Sequence, residues 1–417
     1  MHASASGILR SVDLPDDLYS GHVQGGRVSR GELLVRGAGA LAALPALTRG
    51  RPSASLPEPR RSGLDHVVVV TMENRSFDHL LGWLPGADAR QAGLTYADRH
   101  GVAHSTHPLA PDFQGCGYAD PDHSYLGGRV AYDQGRCDGF LRAGKNDLYA
   151  IGYYTQRDLP FLGAAAPAWT VCDRYFAPIM GPTMANRMYL HAGRTDRVTD
   201  VPLPSILRTI WDVLATHGVS GRYYRRNFSY LALWGTRYLP ITRAFADFLR
   251  DCRTGRLPSV AYVDPAYTLP LLGVGDDDHP PADLRAGEWF LSQVYTAVTA
   301  SPAWPRTLLV ITFDEWGGFF EHVPPAKAPD VNPLHALRGF RVPTVLVSPF
   351  ARRGHVDHGV YDHASVLKLI EWRFGLPPLS VRDAAARNLA SALDFSSHDV
   401  HAPVFRVPRF PTSPPCR

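Results

Sequence analysis

Short, almost continuously apolar runs alternate with longer amphipathic stretches between residues 64 and 375. The first run, LDHVVVVTM, covers residues 64–72 and is rich in β-branched side chains. Similar runs follow at residues 259–263, 307–312 and 342–347. Runs of this length and composition are typical of strands that are buried on both faces, as in a parallel β-sheet.

Helical spacing of apolar side chains appears between these runs, over residues 284–299 and 364–374. Asp362 precedes the second stretch as an N-cap candidate, and Gly375 follows it where a helix commonly ends. The alternation predicts an α/β fold: a mostly parallel sheet with helices on both faces. Residues 85–150 have weak periodicity, and we expect a loop-rich insertion over the sheet rather than a second core.

Composition narrows the class of protein. The chain has 417 residues, enough for one large α/β domain or two ordinary ones, and with 45% hydrophobic and 20% charged residues it is globular rather than disordered. The net charge is only +4 and no run of Lys and Arg is present, which argues against a nucleic-acid partner. None of the five cysteines forms a CxxC pair, so a structural zinc site is not expected. If the protein is exported, Cys116 and Cys137 are candidates for a disulfide.

A leader-like segment lies near the N-terminus. Residues 29–47 read as a basic flank followed by a small apolar run, which resembles a twin-arginine signal whose second arginine is replaced by Gly31. This predicts a secreted or cell-envelope protein; the alternative is an Ala-rich surface helix. We therefore divide the chain into a leader and linker (1–62), a catalytic domain (63–400) and a C-terminal tail (401–417).

Polar residues with oxygen ligands follow the predicted strands. They are Glu73 and Asn74 after the first run, Asp264 and the acids of DDDHPP after the second, and Asp314 and Glu315 after the third. Ligands bind beyond the carboxyl ends of parallel strands, and such oxygens suit a hard divalent cation. Each pair alone is more often an Asx turn or an acidic helix start. Together they favour a metal site, and Gly317 and Gly318 would permit the turn that it needs.

A candidate nucleophile and three histidines complete the pattern. Thr183 follows Gly-Pro and would open a helix, where free N–H groups can bind a phosphate. The alternative is that Thr183 is an ordinary N-cap. His123, His279 and His322 lie in loops beside acids or prolines, and histidine can donate a proton to a leaving oxygen. The alternative for each histidine, considered alone, is a solvated loop residue without a catalytic role.

Five motifs occur in the order found in a known family. They are ENRSFDHLLG at 73–82, GPTMANR at 181–187, DDDHPP at 276–281, FDEWGGFFEHVPP at 313–325 and YDHASVLKLIEWRFG at 361–375. The chain resembles the bacterial phosphoesterases that include non-specific phospholipase C and an acid phosphatase, within the alkaline phosphatase superfamily. The resemblance covers residues 64 to 375.

The resemblance implies roles for particular residues. Glu73 and Asn74, with Asp314 and Glu315, would hold one divalent ion, which could be Ca²⁺, Mg²⁺, Mn²⁺ or Zn²⁺. Thr183 would be transiently phosphorylated. His123, His279 and His322 would surround the phosphate. Asn186 and Arg187 belong to the nucleophile motif without an assigned role, and the segment at Asp362 and His363 is expected to be structural.

The activity implied is hydrolysis of a phospholipid, phosphatidylcholine to diacylglycerol and phosphocholine, with transient contact to a membrane surface. Many bacterial relatives carry C-terminal β domains, whereas this sequence continues for about 40 residues after Gly375. That difference favours an acid phosphatase acting on monoesters. The small changes within the motifs, at Ala185 and Glu321, do not favour either activity. A sulfatase would need Cys or Ser where Thr183 lies. A non-catalytic secreted binding protein would not need every motif position filled.

Overall fold

A computed structural model of the chain describes residues 55–269 and 273–416; the leader-like segment lies outside them. The strands are β1 (His66–Met72), β2 (Thr95–Ala97), β3 (Ala103–Ser105), β4 (His107–Pro108), β5 (Gly152–Tyr153), β6 (Thr170–Cys172), β7 (Gly221–Arg225), β8 (Thr242–Ala244), β9 (Val260–Asp264), β10 (Thr307–Phe313), β11 (Thr344–Val347) and β12 (His355–Asp357). The α-helices are α1 (Phe77–Leu81), α2 (Tyr125–Tyr132), α3 (Leu162–Ala168), α4 (Thr183–Ala192), α5 (Ile210–Thr216), α6 (Phe245–Arg253), α7 (Leu284–Thr299), α8 (His363–Phe374) and α9 (Val381–Ala385).

Within the described residues, eight strands form the central sheet in the order β12-β6-β11-β10-β1-β9-β7-β8. The most apolar run, β1, lies between β10 and β9 and is parallel to both, with Val67 opposite Leu308 and Val260. The other strands share this direction, except β11, which runs antiparallel to β10 and β6. The predicted α/β fold with a mostly parallel sheet is confirmed. The fourth predicted strand, at residues 342–347, corresponds to β11, which runs opposite to the other strands of this sheet.

Both faces of the sheet centre are covered. Every residue of β10 is buried, as is every residue of β1 after His66, which requires packing on each side of the sheet. Helix α8 begins after Asp362, whose side chain accepts a hydrogen bond from the Ala364 N–H, and ends at Gly375 with φ of 66°. The two helices predicted from apolar spacing are therefore present with the expected ends.

The stretch over residues 85–150 contains short strands and α2. Its Tyr96, Phe140 and Leu141 form a second, smaller hydrophobic cluster with Trp316 and Phe320, which lie outside the stretch. The stretch is therefore an insertion over the sheet, as predicted, and its apolar residues share a cluster with the rest of the domain. Its apolar residues are too widely spaced for a periodic pattern, and they bury their surface against residues that follow β10.

The C-terminal residues pack along the domain. Phe405 lies against Tyr295, and the Ser413 hydroxyl accepts a hydrogen bond from the Asp283 N–H. A disulfide joins Cys116 to Cys416, 300 residues apart in sequence. The pairing expected for Cys116 is therefore wrong: Cys137 is a buried free thiol. In the described residues, no helix has the length and apolarity needed to cross a bilayer.

Candidate active site

The carboxyl ends of β1, β9 and β10 bring the predicted metal ligands to one edge of the sheet. These three strands are parallel neighbours, so Glu73, Asp264 and Asp314 emerge side by side. The Asn74 N–H donates to Asp314 Oδ1 at 3.1 Å, and the Arg75 N–H donates to the Glu315 carbonyl at the same distance. The backbone thus ties the two predicted ligand pairs directly together.

Left-handed backbone turns let adjacent side chains face the same point. Asn74 has φ of 56°, and Gly317 and Gly318 have φ of 63° and 73°. A Cβ on Gly317 would lie 2.0 Å from the Asn74 carbonyl oxygen, so only glycine fits there. A Cβ on Gly318 would meet Pro121, in the loop that leads to His123. The predicted turn is present, and the alternative of a helix beginning at Asp314 is not observed.

Arg187 organises the acidic groups at this edge. Its guanidinium forms ion pairs with Glu73, with Asp264 at 3.2 Å and with Asp314 at 3.5 Å, and all of these side chains are buried. Glu315 is also fully buried beside them. Three carboxylates therefore share one guanidinium among the described contacts, and Glu315 is a fourth buried carboxyl group nearby, so acidic groups outnumber the guanidinium in this water-poor site.

This excess charge shows in the acid–base behaviour of the carboxyl groups. Burial, together with the neighbouring Asp314 carboxylate, raises the pKa of Glu73, and Arg187 opposes the rise. Burial and Asp314 likewise raise the pKa of Glu315. Burial raises the pKa of Asp264 to about 6, again against the effect of Arg187. An additional positive charge would stabilise the ionised form of every one of these groups.

Thr183 lies beside two of the predicted ligands, Glu73 and Asn74. It is the first residue of α4, and its hydroxyl lies 3.2 Å from Glu73 Oε2 and 3.3 Å from Asn74 Oδ1, either of which can accept its proton. Pro182 occupies the cap position, so the alternative that Thr183 is an N-cap does not hold. Within the turn before α4, Asn186 accepts from the Ile179 N–H and donates to the Gly181 carbonyl. Its role is to shape the turn that presents Thr183.

Two of the three predicted histidines join this site. His123 Nε2 lies 3.2 Å from Asn74 Nδ2 and 3.9 Å from Glu315 Oε1. The rings of His123 and His279 meet edge to face with centroids 5.9 Å apart, and His279 Nε2 lies 4.0 Å from Asp120. Hydrogen bonds therefore run from Thr183 through Asn74 to His123, with His279 at the outer side.

His322 lies in a different network. It contacts Asp78 and Asp88 through its ring and lies beside the ion pair between Glu321 and Arg341. Burial lowers the pKa of His322, but the hydrogen bond and charge of Asp78 outweigh it, so the pKa is raised. No hydrogen bond joins His322 to Thr183 or its neighbours among the described residues. These contacts fasten α1 to the loop after β10, and the place of His322 at the phosphate stays a prediction.

Other contacts were not foreseen from the sequence. His363 Nε2 lies 2.8 Å from the Asp314 carbonyl, so the segment expected to be structural supports a ligand directly. Asp200 Oδ1 accepts a hydrogen bond of 2.8 Å from the Met184 N–H in the first turn of α4. Nothing in the sequence distinguishes Asp200, because it belongs to no motif and lies 17 residues after Thr183 in a loop.

A cavity of about 830 Å³ opens beside Thr183. Its lining combines apolar with charged side chains: Asp120, Pro121, Asp122, His123, Ser124, Tyr125, Leu126, Gly144, Lys145, Pro182, Val198, Thr199 and Asp200. Pro182, the residue before Thr183, and His123 belong to this lining, so the cavity adjoins the residues around Thr183. The site thus places the predicted nucleophile and the predicted acidic ligands next to a cavity with room for a bulky group.

Comparisons with known proteins show which proteins this chain resembles in sequence. The model of the phosphoesterase family matches residues 64–377. The chain is 27% identical to phospholipase C B of Mycobacterium tuberculosis over 80% of this chain and 78% of that one. It is 30% identical to non-specific phospholipase C1 of Arabidopsis thaliana, over 79% and 71%. A Vibrio parahaemolyticus structure from the alkaline phosphatase superfamily aligns with 8% identity and a TM-score of 0.39, over 78% and 70%.

Proposed function

Because the chain belongs to the phosphoesterase family and is a hydrolase of phosphoric esters, we propose that it cleaves phospholipid-type phosphodiesters through a phosphothreonine at Thr183. One observation carries this proposal. The Thr183 hydroxyl lies within hydrogen-bond distance of Glu73 and Asn74, and the residue before it, Pro182, lines a cavity with both apolar and charged side chains. A nucleophile so placed can attack a phosphorus whose leaving group occupies that cavity.

The ligand set fits one divalent cation. Asp314 Oδ2 and Glu315 Oε1 are buried without a hydrogen-bond partner in the described part of the chain, and the carboxylates outnumber the guanidinium. Glu73, Asn74, Asp314 and Glu315 would hold the ion, and their oxygen donors suit Ca²⁺, Mg²⁺ or Mn²⁺, with Zn²⁺ also compatible. When bound, the cation supplies positive charge that lowers the pKa of a nearby hydroxyl and of developing oxyanions.

The chain's own residues account for the bond changes. The Thr183 proton passes to Glu73, its hydrogen-bond acceptor, as Oγ1 bonds to phosphorus and the bond to the leaving alcohol breaks. His279, which lies beside Asp120, protonates the departing oxygen. Water then attacks the phosphorus and gives a proton to the deprotonated His279, while the bond from phosphorus to Oγ1 breaks and the threonine oxygen recovers its proton from Glu73. For phosphatidylcholine the products are diacylglycerol and then phosphocholine.

A single variant tests the nucleophile. Thr183→Ala should reduce cleavage of p-nitrophenylphosphorylcholine by at least about 10³-fold while leaving the melting temperature unchanged. Thr299→Ala, at the end of α7, is the matched control and should keep full activity. Acid-quenched enzyme should carry the substrate's phosphoryl group on the peptide containing Thr183. Full activity in Thr183→Ala, or a label on another peptide, would refute the assignment.

A second comparison separates the two activities expected from the sequence. Faster cleavage of p-nitrophenylphosphorylcholine than of p-nitrophenyl phosphate supports the phosphodiesterase, and the reverse order identifies an acid phosphatase. Chelator should abolish either activity, and readdition of one cation should restore it. Activity that persists after complete removal of divalent metal contradicts the metal proposal.

We also propose that the protein is exported. The disulfide between Cys116 and Cys416 would persist in an oxidising compartment, which supports the leader-like segment at residues 29–47. Expression of the full chain in a bacterium, with fractionation of periplasm and cytoplasm, tests this. Recovery of the uncleaved chain in the cytoplasm alone would contradict it.

A further inference from the structure

The loop that carries His279 is held at both ends by one serine. This loop is the DDDHPP motif at residues 276–281. The Ser413 N–H donates to the carbonyl of Gly275, directly before the motif, at 3.2 Å. The Ser413 hydroxyl accepts from the N–H of Asp283, two residues after the motif, at 2.6 Å. Ser413 is only 1% exposed, so these hydrogen bonds are shielded from water and fix both ends of the loop.

Residues 413–416, which we term the strap, also bind the loop that approaches His279 from the other side. Cys416 forms the disulfide with Cys116, and Cys116 lies four residues before Asp120. Asp120 Oδ2 lies 4.0 Å from His279 Nε2. A covalent bond and two hydrogen bonds of the strap therefore join the two loops on either side of this imidazole.

His279 itself is anchored only locally in the described part of the chain. Its N–H donates to Asp277 Oδ1 at 3.1 Å, its Nδ1 lies 2.5 Å from the Pro280 carbonyl, and its own carbonyl accepts from the Ala282 N–H at 2.6 Å. All of these partners lie within three residues of His279. The place of the imidazole in the site therefore depends on where the whole loop is held, and a displacement of about 1 Å can cost on the order of 10²-fold in rate.

Other contacts of the C-terminal residues lie away from this loop. The Tyr295 hydroxyl donates to the Pro403 carbonyl at 2.7 Å, and the ring centroids of Tyr295 and Phe405 are 4.9 Å apart. These contacts attach the chain to the C-terminal half of α7, whereas the His279 loop precedes the N-terminus of that helix. Their loss would lower stability without moving His279, which provides a comparison for the strap.

We propose that Ser413 and the disulfide between Cys116 and Cys416 are positioning residues for His279, and that they set the rate at which the leaving oxygen is protonated. The proposal rests on the function proposed above, in which the Thr183 oxygen displaces an alcohol and His279 supplies the proton. It adds that the imidazole reaches this oxygen only while the strap holds its loop.

Protonation matters more for some leaving groups than for others. A diacylglycerol leaves as an alkoxide unless an acid protonates it, whereas p-nitrophenolate is a stable anion that leaves without a proton. Attack on phosphatidylcholine and on p-nitrophenylphosphorylcholine places the same phosphocholine group on Thr183. A displaced His279 should therefore slow release of the alcohol and spare release of p-nitrophenolate, whereas general damage to the site would slow both.

The test measures release of the leaving group in a single turnover, with metal-loaded enzyme in excess, at a temperature at which circular dichroism shows every variant folded. The substrates are dihexanoylphosphatidylcholine and p-nitrophenylphosphorylcholine, both soluble in water. Cys416→Ser removes the disulfide, and Ser413→Ala keeps it but removes the acceptor of the Asp283 N–H. Tyr295→Phe is the matched control, because it removes the hydrogen bond to Pro403.

Cys416→Ser should slow release of the alcohol by at least about tenfold, out of the roughly 10²–10⁴-fold that a positioned acid contributes, and Ser413→Ala should slow it in the same direction. Release of p-nitrophenolate should stay within about twofold of the parent in both variants, and Tyr295→Phe should match the parent on both substrates. Reductant added to the folded parent should reproduce the effect of Cys416→Ser. Equal slowing on both substrates, or a loss in the control as large as in Cys416→Ser, would overturn the proposal.

Two further measurements separate positioning from structural support. In a His279→Gln background, Cys416→Ser should add less than about twofold to the loss, because the strap acts through that histidine, and an undiminished effect would contradict the proposal. If the parent cleaves neither ester, the proposed function falls, and the imidazole resonance of His279, assigned by its absence in His279→Gln, decides the positioning. That resonance should shift in Cys416→Ser and not in Tyr295→Phe, and an unchanged resonance in Cys416→Ser would refute the role of the strap.

Discussion

Arg187 offers the sharpest test of the charge balance in the site. In Arg187→Met the methionine fills much of the same space, but the carboxylates of Glu73, Asp264 and Asp314 lose their common guanidinium. Removing one partner of a buried ion pair typically costs about 3–5 kcal/mol. For a domain of about 360 residues the entropy of unfolding is roughly 0.75 kcal/mol per kelvin, so the melting temperature should fall by about 5 °C.

The loss of stability in Arg187→Met should depend on pH in a defined direction. Arg187 lowers the pKa of Glu73 and of Asp264 from where burial alone would set them, and Asp264 still titrates at about 6. The stabilisation that Arg187 provides is thus present where Glu73 and Asp264 are ionised, and it is lost as the pH falls through their pKa values. Arg187→Met should be destabilised fully at pH 8 and progressively less toward pH 4.

Thermal unfolding followed by circular dichroism, from pH 4 to pH 8 and with or without divalent cations, measures both effects. Arg382→Met is the matched control, because Arg382 is an equally buried arginine that pairs with Asp330 and Asp362 outside the site. A divalent cation should restore stability to Arg187→Met and not to Arg382→Met, since only the first leaves its uncompensated charge at the metal ligands. Equal responses of the two variants to metal would refute the charge argument.

Three further changes have defined outcomes. Gly317→Ala should lose activity and about 1–3 kcal/mol of stability, because its Cβ would collide with a backbone carbonyl; Gly218→Ala, with a similar φ of 67° but open surroundings, should fold nearly normally. Burial raises the pKa of Glu288 to about 8, so this group costs stability progressively as pH rises above about 4.5. Urea unfolding should show Glu288→Gln gaining up to about 1.4 kcal/mol per pH unit over the parent between pH 5 and 7.5, and parallel pH profiles would contradict this. Cys116→Ser should lower stability by up to about 5 kcal/mol under oxidising conditions, and reductant should give the parent the same melting temperature as the variant.

The sequence predicted the sheet centre well, because continuous β-branched runs such as residues 67–70 have few alternatives to a strand buried on both faces. The direction of β11 was not predictable in the same way, since an apolar run is buried on both faces in either orientation. Strand β7 was missed: its sequence GRYYR carries two arginines, and it forms a strand through pairing with β8 and β9 rather than through its own pattern.

The sequence likewise predicted some features of the candidate site and missed others. Motif residues at strand ends could be placed because parallel strands deliver them to one edge, and Glu73, Asn74 and Asp314 meet there. The contacts of His322 could not be predicted, because nothing in the sequence indicates that Asp78 would bind its ring. The partner of Cys116 lies 300 residues away, and such long-range contacts depend on how the whole chain folds.

Asp200 has a consequence for product inhibition. Its carboxylate accepts the Met184 N–H in the first turn of α4, close to where a phosphoryl group on Thr183 would lie. A phosphodiester carries one negative charge, whereas a released phosphomonoester carries nearly two at neutral pH and is repelled more strongly by that fixed anion. In the proposed reaction, the same carboxylate that fastens the helix start would therefore favour release of the product over its retention, so that turnover would continue as phosphomonoester accumulates.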